Sequence, residues 1–288
     1  MNRRAFVAAS VAATAASLRA DGEQIQFEAA DEFVPERISG KLKQSVCRWC
    51  YNMPLDELCS NAAKMGFKSV ELLGEKEWST PAKHGLTCAL ANGPTSITKG
   101  FNRLEHHDGF VKESERLLPL IKDAGIPQMI VFSGSRAGQS DADGIKNCAI
   151  GLKRITPLAE KLGITIVMEL LNSKVDHKDY QCDHTAWGVE LVKAVGSPRF
   201  KLLYDIYHMQ IMEGDVIRTI TDNFEHINHY HTGGVPGRHE IDKGQELQYA
   251  TICKAIVEKG FTGYLAQEFI PTRDPMASLR EAFELCDV

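Results

Sequence analysis

The sequence predicts an α/β fold, a TIM (β/α)8 barrel that forms one domain, and three observations indicate it. Short apolar runs alternate with amphipathic helices from residue 42 to the end of the chain. Eight such strand–helix units in about 245 residues match the usual size of this barrel. Several of the strands end in an acidic or histidine side chain, which is typical of the barrel mouth where active sites lie.

Composition fits one large core and a small-molecule partner. The chain has 288 residues, of which 43% are apolar and 25% charged, as in ordinary globular domains. Its formal net charge is −5 and it has no basic block, which argues against a nucleic-acid partner. The expected partner is therefore a carbohydrate or a hydroxy-keto acid. The oligomeric state stays open, a homo-oligomer included.

Residues 1–20 predict a twin-arginine export signal. Arg3 and Arg4 precede an alanine-rich apolar run, and Ala20 offers a small residue for cleavage. This run is too short to be a stable membrane span. The signal predicts a periplasmic protein, or a cytoplasmic one if the signal does not function, and the alternative is a disordered tail. Residues 21–41 are polar and acidic and are interpreted as a linker to the barrel of residues 42–288.

The first half of the barrel follows from apolar runs and helix signals. Four strands are predicted over residues 42–49, 69–73, 86–90 and 128–132. Pro54 opens a helix that Gly66 closes, since proline suits the first helical turn and glycine suits the end. A short helix is expected around Pro81, and residues 111–124 are predicted to be helical.

The second half repeats the same alternation. Strands are predicted over residues 164–169, 200–205, 227–231 and 263–268, and helices over residues 142–162, 185–195, 247–259 and 276–285. One further helix is expected to follow the sixth strand and to end near Ile220. A doubly wound open sheet is the alternative fold, but no glycine-rich nucleotide turn follows the first strand.

The eight cysteines are scattered and show no compact disulfide framework. Cys47 and Cys50 form a Cys-x-x-Cys pair, but the chain has no second pair that would complete a zinc site. Both are predicted to be core residues.

Four consecutive predicted strands end in potential metal ligands, namely Glu169, Asp205, His231 and Glu268. Alone, the Asp205-x-x-His208 spacing would indicate a helix N-cap followed by a solvated histidine. However, strands five to eight of a barrel share one mouth, so the four side chains are expected to converge. Three carboxylates packed together would repel one another without a cation, and the cluster therefore predicts a metal site.

The ligand types favour one divalent metal ion, Mn²⁺ or Mg²⁺, with Zn²⁺ or Co²⁺ left open. Glu169 and Glu268 are also the expected catalytic pair. A glutamate on each side of a sugar can remove a proton next to a carbonyl and return it elsewhere. The metal would stabilise the intervening enediolate. Two further residues are candidates for binding substrate. Trp78 lies in a loop at the expected barrel mouth, and Arg48 could reach an anionic substrate or make a structural salt bridge.

Ordered motifs over nearly the whole predicted barrel resemble the hydroxypyruvate isomerase family, which belongs to the xylose-isomerase-like TIM barrels and is related to the ketose 3-epimerases. The motifs are Gly74-Glu-Lys-Glu-Trp78, Glu169-Leu-Leu-Asn172, Tyr204-Asp205-Ile-Tyr-His208, His229-Tyr-His231, Pro236-Gly-Arg238-His239-Glu240 and Gln267-Glu268-Phe269. The resemblance implies metal ligation by the four strand-end residues and proton transfer by Glu169 and Glu268. It also implies that His208 and Arg238 hold substrate oxygens.

Two positions leave isomerase and epimerase both open. Hydroxypyruvate isomerases carry glutamine where His231 stands, whereas the epimerases carry histidine. The epimerases also have a second glutamate where this chain has Val175.

Three other functions remain as alternatives. The same site could serve a lyase or hydratase acting on a 3-keto sugar, or the chain could be an exported sugar-binding protein without activity. Endonuclease IV shares the barrel but needs a trinuclear zinc site. Here the third and fourth strands end in Ala91-Asn92 and Ser133-Gly134, which supply no further ligands.

Overall fold

The computed structural model describes residues 40–288. The predicted export signal and residues 21–39 of the predicted linker lie outside the described residues. Within the described range, no helix is both long enough and apolar enough to span a membrane.

The eight strands form one closed parallel barrel. They are β1 (Lys43–Cys47), β2 (Ser69–Glu71), β3 (Leu90–Asn92), β4 (Gln128–Val131), β5 (Thr165–Leu170), β6 (Phe200–Asp205), β7 (Ile227–Thr232) and β8 (Tyr264–Gln267). Hydrogen-bonded neighbours follow the order β2-β1-β8-β7-β6-β5-β4-β3. Single bridges from Ser69 to Thr87 and from Leu73 to Ala91 join the two ends of this order. The predicted barrel is therefore confirmed, and the open-sheet alternative is excluded.

Eight α-helices surround the barrel in the described part of the chain. They are α1 (Leu55–Met65), α2 (His107–Asp123), α3 (Asp141–Leu162), α4 (Thr185–Val195), α5 (Ile206–Met212), α6 (Val216–Asp222), α7 (Tyr249–Glu258) and α8 (Pro275–Cys286). Short 3-10 helices at Glu75–Glu77 and Pro81–His84 join β2 to β3. As predicted, α1 follows Pro54 and is closed by Gly66, which comes directly after its last residue and has a φ of 104°.

Most element limits differ from the sequence-based prediction by a few residues; α2, for example, begins at His107 rather than at residue 111. Two differences have a clear physical cause. The third strand is at residues 90–92 rather than 86–90, because it is Leu90, Ala91 and Asn92 that pair with β4. The single helix expected after β6 is two helices, α5 and α6. Gly214 and Asp215 separate them with φ values of 67° and 43°, and left-handed backbone cannot continue a right-handed helix.

The barrel interior is layered. Leu90, Ile130, Val167 and Leu203, from four neighbouring strands, pack into a small apolar cluster. Because strand residues alternate between two faces, the residues two positions further along also point inward. On β5 and β6 these are Glu169 and Asp205, which places acids directly above an apolar layer. All eight cysteines are free and buried, and Cys47 and Cys50 are core residues as predicted.

Candidate active site

The four predicted ligands come together at the carboxyl ends of β5 to β8. Glu169, Asp205, His231 and Glu268 each offer an atom, and these atoms all lie within 4.8 Å of one another. His231 Nδ1 is 2.8 Å from Glu268 Oε2 and 3.3 Å from Glu169 Oε1. The convergence follows from the barrel, since parallel strands bring their carboxyl ends to one mouth.

Arg238 reaches into this cluster from the loop after β7. Its Nη2 atom is 2.5 Å from Glu268 Oε2 and 3.3 Å from Asp205 Oδ2. The guanidinium also lies over two aromatic rings, 5.1 Å from the centre of Trp49 and 5.4 Å from that of Tyr207. A fixed positive charge therefore contacts the carboxylates directly.

The carboxyl groups of Glu169 and Glu268 have opposite pKa shifts. Burial raises the pKa of Glu169, and the charge of Glu268 raises it further. Burial would also raise the pKa of Glu268, but Arg238 and His231 outweigh it and hold this pKa well below its ordinary value. Because His231 contacts both glutamates, the difference arises mainly from Arg238, which donates to Glu268.

The pKa values of the two completely buried residues, Asp205 and His231, are also shifted. Burial raises the pKa of Asp205 to about 8, with Arg238 opposing the shift and the neighbouring glutamates adding to it. Burial alone would lower the pKa of His231, but Glu268 and its other neighbours raise it well above the ordinary value. Without a metal ion, the cluster therefore tends to hold extra protons.

The donor set fits a divalent metal ion. It combines carboxylate oxygens with one imidazole nitrogen, which suits Mn²⁺, Mg²⁺ or Zn²⁺. Glu169 Oε1 is buried, and its 3.3 Å contact with His231 Nδ1 is not a well-formed hydrogen bond, so within residues 40–288 this oxygen has no hydrogen-bond partner. A buried carboxylate oxygen without a partner is costly, and a cation at the centre of the cluster would satisfy it.

A cavity of about 240 Å³ opens onto the cluster. Glu169 and Glu268 line it together with Trp49, His177 and Arg238. The remaining wall is largely apolar and is formed by Leu72, Asn92, Ile97, Ile130, Phe132 and Leu171. A pocket of this size suits a small substrate with one polar end at the carboxylates.

His208 lies in the first turn of α5 and is fully buried. Its backbone N–H donates to Asp205 Oδ1, so Asp205 caps the helix. The side-chain amide of Asn172 donates to His208 Nδ1 at 2.6 Å. His208 Nε2 then carries the proton and lies 3.7 Å from Asp205 Oδ2. The substrate role expected for His208 stays a prediction.

The other two predicted substrate residues lie near the mouth but bond to backbone. Arg48 donates to the carbonyls of Tyr51 and Met53, the latter at 2.9 Å. Trp78 Nε1 donates to the carbonyl of Leu73 at 3.2 Å. Both side chains therefore hold loops in this structure, and their substrate roles stay predictions.

Comparison with known proteins places the chain in a family. The family model described as xylose isomerase-like TIM barrel matches residues 59–287. The chain belongs to this family. A relative in Cupriavidus necator, named 2-oxo-tetronate isomerase, is 30% identical over 239 residues, which are 78% of this chain and 90% of the relative. A Mus musculus relative with the provisional name hydroxypyruvate isomerase is 22% identical over 241 residues, 78% of this chain and 87% of the relative. The predicted resemblance is confirmed.

Solved structures agree with the fold. A Brucella melitensis protein titled AP endonuclease, family 2, aligns with a TM-score of 0.76 and 24% identity, covering 83% of this chain and 97% of that one. A 3-keto-D-glucoside 4-epimerase from E. coli aligns with a TM-score of 0.69 and 19% identity, covering 85% and 98%. At these identities the likeness establishes the fold alone.

The structure adds residues to the site that the sequence analysis did not assign to it. Trp49 Nε1 donates to Glu268 Oε1 at 2.8 Å, and His177 stands in ring contact with His208. Below the ligands, Glu71 accepts hydrogen bonds from His229 and His231. The only sequence signal for Glu71 is an acid within the apolar run of the second predicted strand.

Proposed function

We propose that this xylose isomerase-like barrel is a divalent-metal-dependent isomerase or epimerase of a keto sugar or a short hydroxy-keto acid. Glu169 and Glu268 act as the proton-transfer pair, and these two residues with Asp205 and His231 hold the metal. The names of the relatives point to the same reaction class.

One observation carries this assignment. Glu169 and Glu268 line the cavity and remain 5% and 4% exposed, whereas Asp205 and His231 are completely buried. Only the two glutamates can contact a substrate carbon, so they have a role beyond metal binding. Asp205 and His231 are restricted to holding the metal and setting its position.

The reaction needs a carbonyl next to a carbon that bears a hydroxyl group. One glutamate carboxylate accepts the proton from that carbon, and the electron pair of the C–H bond forms the carbon–carbon double bond of an enediolate. The other glutamate, in its protonated form, then donates a proton to carbon. Delivery to the adjacent carbon, with the hydroxyl proton of the first carbon passing to the former carbonyl oxygen, gives an isomerase. Delivery to the opposite face of the first carbon gives an epimerase.

The bound metal ion would supply electrophilic stabilisation of the negative charge on the two substrate oxygens. Arg238 can bind a further substrate oxygen or a carboxylate, since its guanidinium faces the same cavity. The apolar wall around Leu72 and Phe132 excludes water from the reacting end of the substrate.

The test is an activity screen of the purified protein with Mn²⁺. Hydroxypyruvate, free ketoses and 3-keto glycosides are the substrates, and NMR in deuterated solvent measures proton exchange and identifies products. We expect exchange at the carbon next to the carbonyl, lost after chelation and restored by Mn²⁺. A product that lacks a β-substituent would identify a lyase instead. Binding without exchange or metal dependence would favour a sugar-binding protein.

His208→Ala is expected to lower kcat/KM by about 10- to 100-fold and to leave the Mn²⁺ affinity nearly unchanged. The reason is that the resemblance assigns a substrate oxygen to His208, whose Nε2 has no hydrogen-bond partner within residues 40–288. Because His208 is completely buried and does not line the cavity, this bond requires the site to open when substrate binds. Such a bond to a charged group is worth about 1.5–3 kcal/mol. Steady-state kinetics and calorimetry of Mn²⁺ binding make the measurement.

His226→Ala is the matched control for His208→Ala, because His226 precedes β7 and so lies at the opposite end of the barrel from the site. Its kcat/KM should stay within twofold of wild type. Loss of Mn²⁺ binding in His208→Ala would instead make His208 a metal ligand.

A further inference from the structure

A buried chain of hydrogen bonds lies beneath the proposed metal ligands, and its residues come from three strands. Gln128 is on β4, Glu71 is on β2, and His229 and His231 share the inner face of β7. All four side chains are buried. Because β2 and β7 are not neighbours in the barrel, the contacts of Glu71 cross the interior.

Each link of this chain is short. Asn228 Nδ2 donates to Gln128 Oε1 at 3.2 Å, and Gln128 Nε2 lies 3.1 Å from His229 Nδ1. His229 Nε2 is 2.9 Å from Glu71 Oε1, and His231 Nε2 is 3.1 Å from the same oxygen. The far nitrogen of His231, Nδ1, faces Glu169 and Glu268.

The carboxylate determines where the protons are. An ionised carboxylate only accepts hydrogen bonds, so both Nε2 atoms that contact Glu71 must carry a proton. His229 Nδ1 is then an acceptor, which matches the amide N–H of Gln128. His231 Nδ1 lies 2.8 Å from Glu268 Oε2, so without a metal ion this nitrogen carries a proton as well. A metal ion bound at Nδ1 would displace that proton, and the proton that remains on His231 would then be the one on Nε2 that Glu71 accepts.

Cys47 is the competing partner of His231. Its Sγ lies 3.8 Å from His231 Nε2 and 4.0 Å from Glu71 Oε1. A thiol could donate to Nε2 only if that nitrogen lacked its proton, which would place a lone pair 3.1 Å from a carboxylate oxygen. The shorter contact with Glu71 therefore places a proton on Nε2 and makes Glu71, not Cys47, its partner.

We propose that Glu71 is a positioning residue that acts through His231. By accepting the Nε2 proton, it fixes the tautomer and ring orientation in which Nδ1 binds the metal ion, and His229 and Gln128 hold Glu71 in place. This inference rests on the proposed function, since it takes His231 as a ligand. Loss of such a partner typically costs 10- to 100-fold in metal affinity.

Glu71→Gln is the main test, and calorimetry with Mn²⁺ is the main readout. We expect an apparent Kd about 10- to 100-fold higher than that of wild type. In protein labelled with ¹⁵N-histidine and saturated with diamagnetic Mg²⁺, NMR should find His231 of the wild type protonated at Nε2 only. At the same Mg²⁺ concentration, Glu71→Gln should show a second form of His231 with its proton on Nδ1, a form that cannot bind the metal ion and that a purely structural role would not produce.

Glu240→Gln is the matched control. Glu240 is also a shielded carboxylate and accepts hydrogen bonds from Thr272, Arg273 and Ser278, away from the cluster. The Glu240→Gln variant should lose thermal stability but keep the wild-type Kd for Mn²⁺. If Glu71→Gln does not fold, His229→Gln decides the question, with the same direction of change in Kd and tautomer.

Two results would overturn the inference while leaving the proposed function intact. The first is that wild type binds Mn²⁺ and that Glu71→Gln and His229→Gln both fold and bind Mn²⁺ with a Kd within twofold of the wild-type value. The other is a second metal ion per chain that disappears in Cys47→Ser, which would make Cys47, Glu71 and His231 Nε2 ligands of their own site. If the wild type binds no divalent metal, the proposed function itself is wrong.

Discussion

Glu169→Gln and Glu268→Gln will each keep the metal ion and lose turnover by at least about a hundredfold, the usual scale for a positioned acid or base. An amide oxygen can still contact the metal, but an amide cannot accept a proton from carbon. Both glutamates line the cavity, so both are placed to contact the substrate. Turnover with saturating Mn²⁺ and metal content by mass spectrometry are the measurements.

The two half-reactions should separate in these variants. The surviving glutamate can remove the proton on its own side of the substrate, so one variant should still exchange that proton with solvent while forming no product. NMR in deuterated solvent detects the exchange directly. Near-wild-type turnover in both variants, with metal bound, would contradict the proton-transfer pair.

Asp205→Asn provides the contrast within the same cluster. Asp205 is completely buried and does not reach the cavity, so its loss should weaken Mn²⁺ binding rather than proton transfer. Raising the Mn²⁺ concentration should restore turnover in Asp205→Asn and should not restore it in the glutamine variants.

Local sequence signals were sufficient to predict the barrel fold and the convergence of the four proposed metal ligands. Glu169, Asp205, His231 and Glu268 each follow an apolar run in the sequence, and parallel strands bring such positions together without any knowledge of side-chain contacts. The helix limits at Pro54 and Gly66 were equally local, because proline and glycine act on the backbone at their own positions.

Contacts between distant parts of the chain could not be predicted in this way. Glu71 lies 158 and 160 residues from its histidine partners, and only the closed barrel brings them together. The predicted position of β3 was also wrong by a few residues. The apolar run continues past Leu90, and only its last part pairs with β4, which the sequence alone does not indicate. Arg238 was assigned to the substrate by resemblance, but its contact with Asp205 and Glu268 depends on the path of a long loop.

Arg238→Met will destabilise the metal-stripped protein by about 3–5 kcal/mol, the usual cost of removing one partner from a buried ion pair. Arg238 is the cation that contacts Glu268 at 2.5 Å and Asp205 at 3.3 Å, and its side chain is only 13% exposed. Without it, buried carboxyls must either protonate or repel one another. Chemical denaturation after chelation measures the loss.

Arg116→Met is the matched control, because the two arginines differ in burial and not in distance. Arg116 Nη2 is also 2.5 Å from a carboxylate, that of Glu75, but both side chains are 45% exposed. Exposed ion pairs contribute little to stability because water screens them, so this variant should unfold almost as wild type does. Equal losses in the two variants would show that burial of the carboxylate cluster is not what makes Arg238 important.

Mn²⁺ should reverse much of the defect in Arg238→Met. A divalent cation bound by the cluster neutralises the same carboxylates that Arg238 contacts, and it stabilises the folded state by mass action. Arg238 also competes with the cation for Glu268 and Asp205. The rise in Tm on adding Mn²⁺ should therefore be larger in Arg238→Met than in wild type. A smaller rise would mean that Arg238 helps to hold the metal ion instead of competing with it.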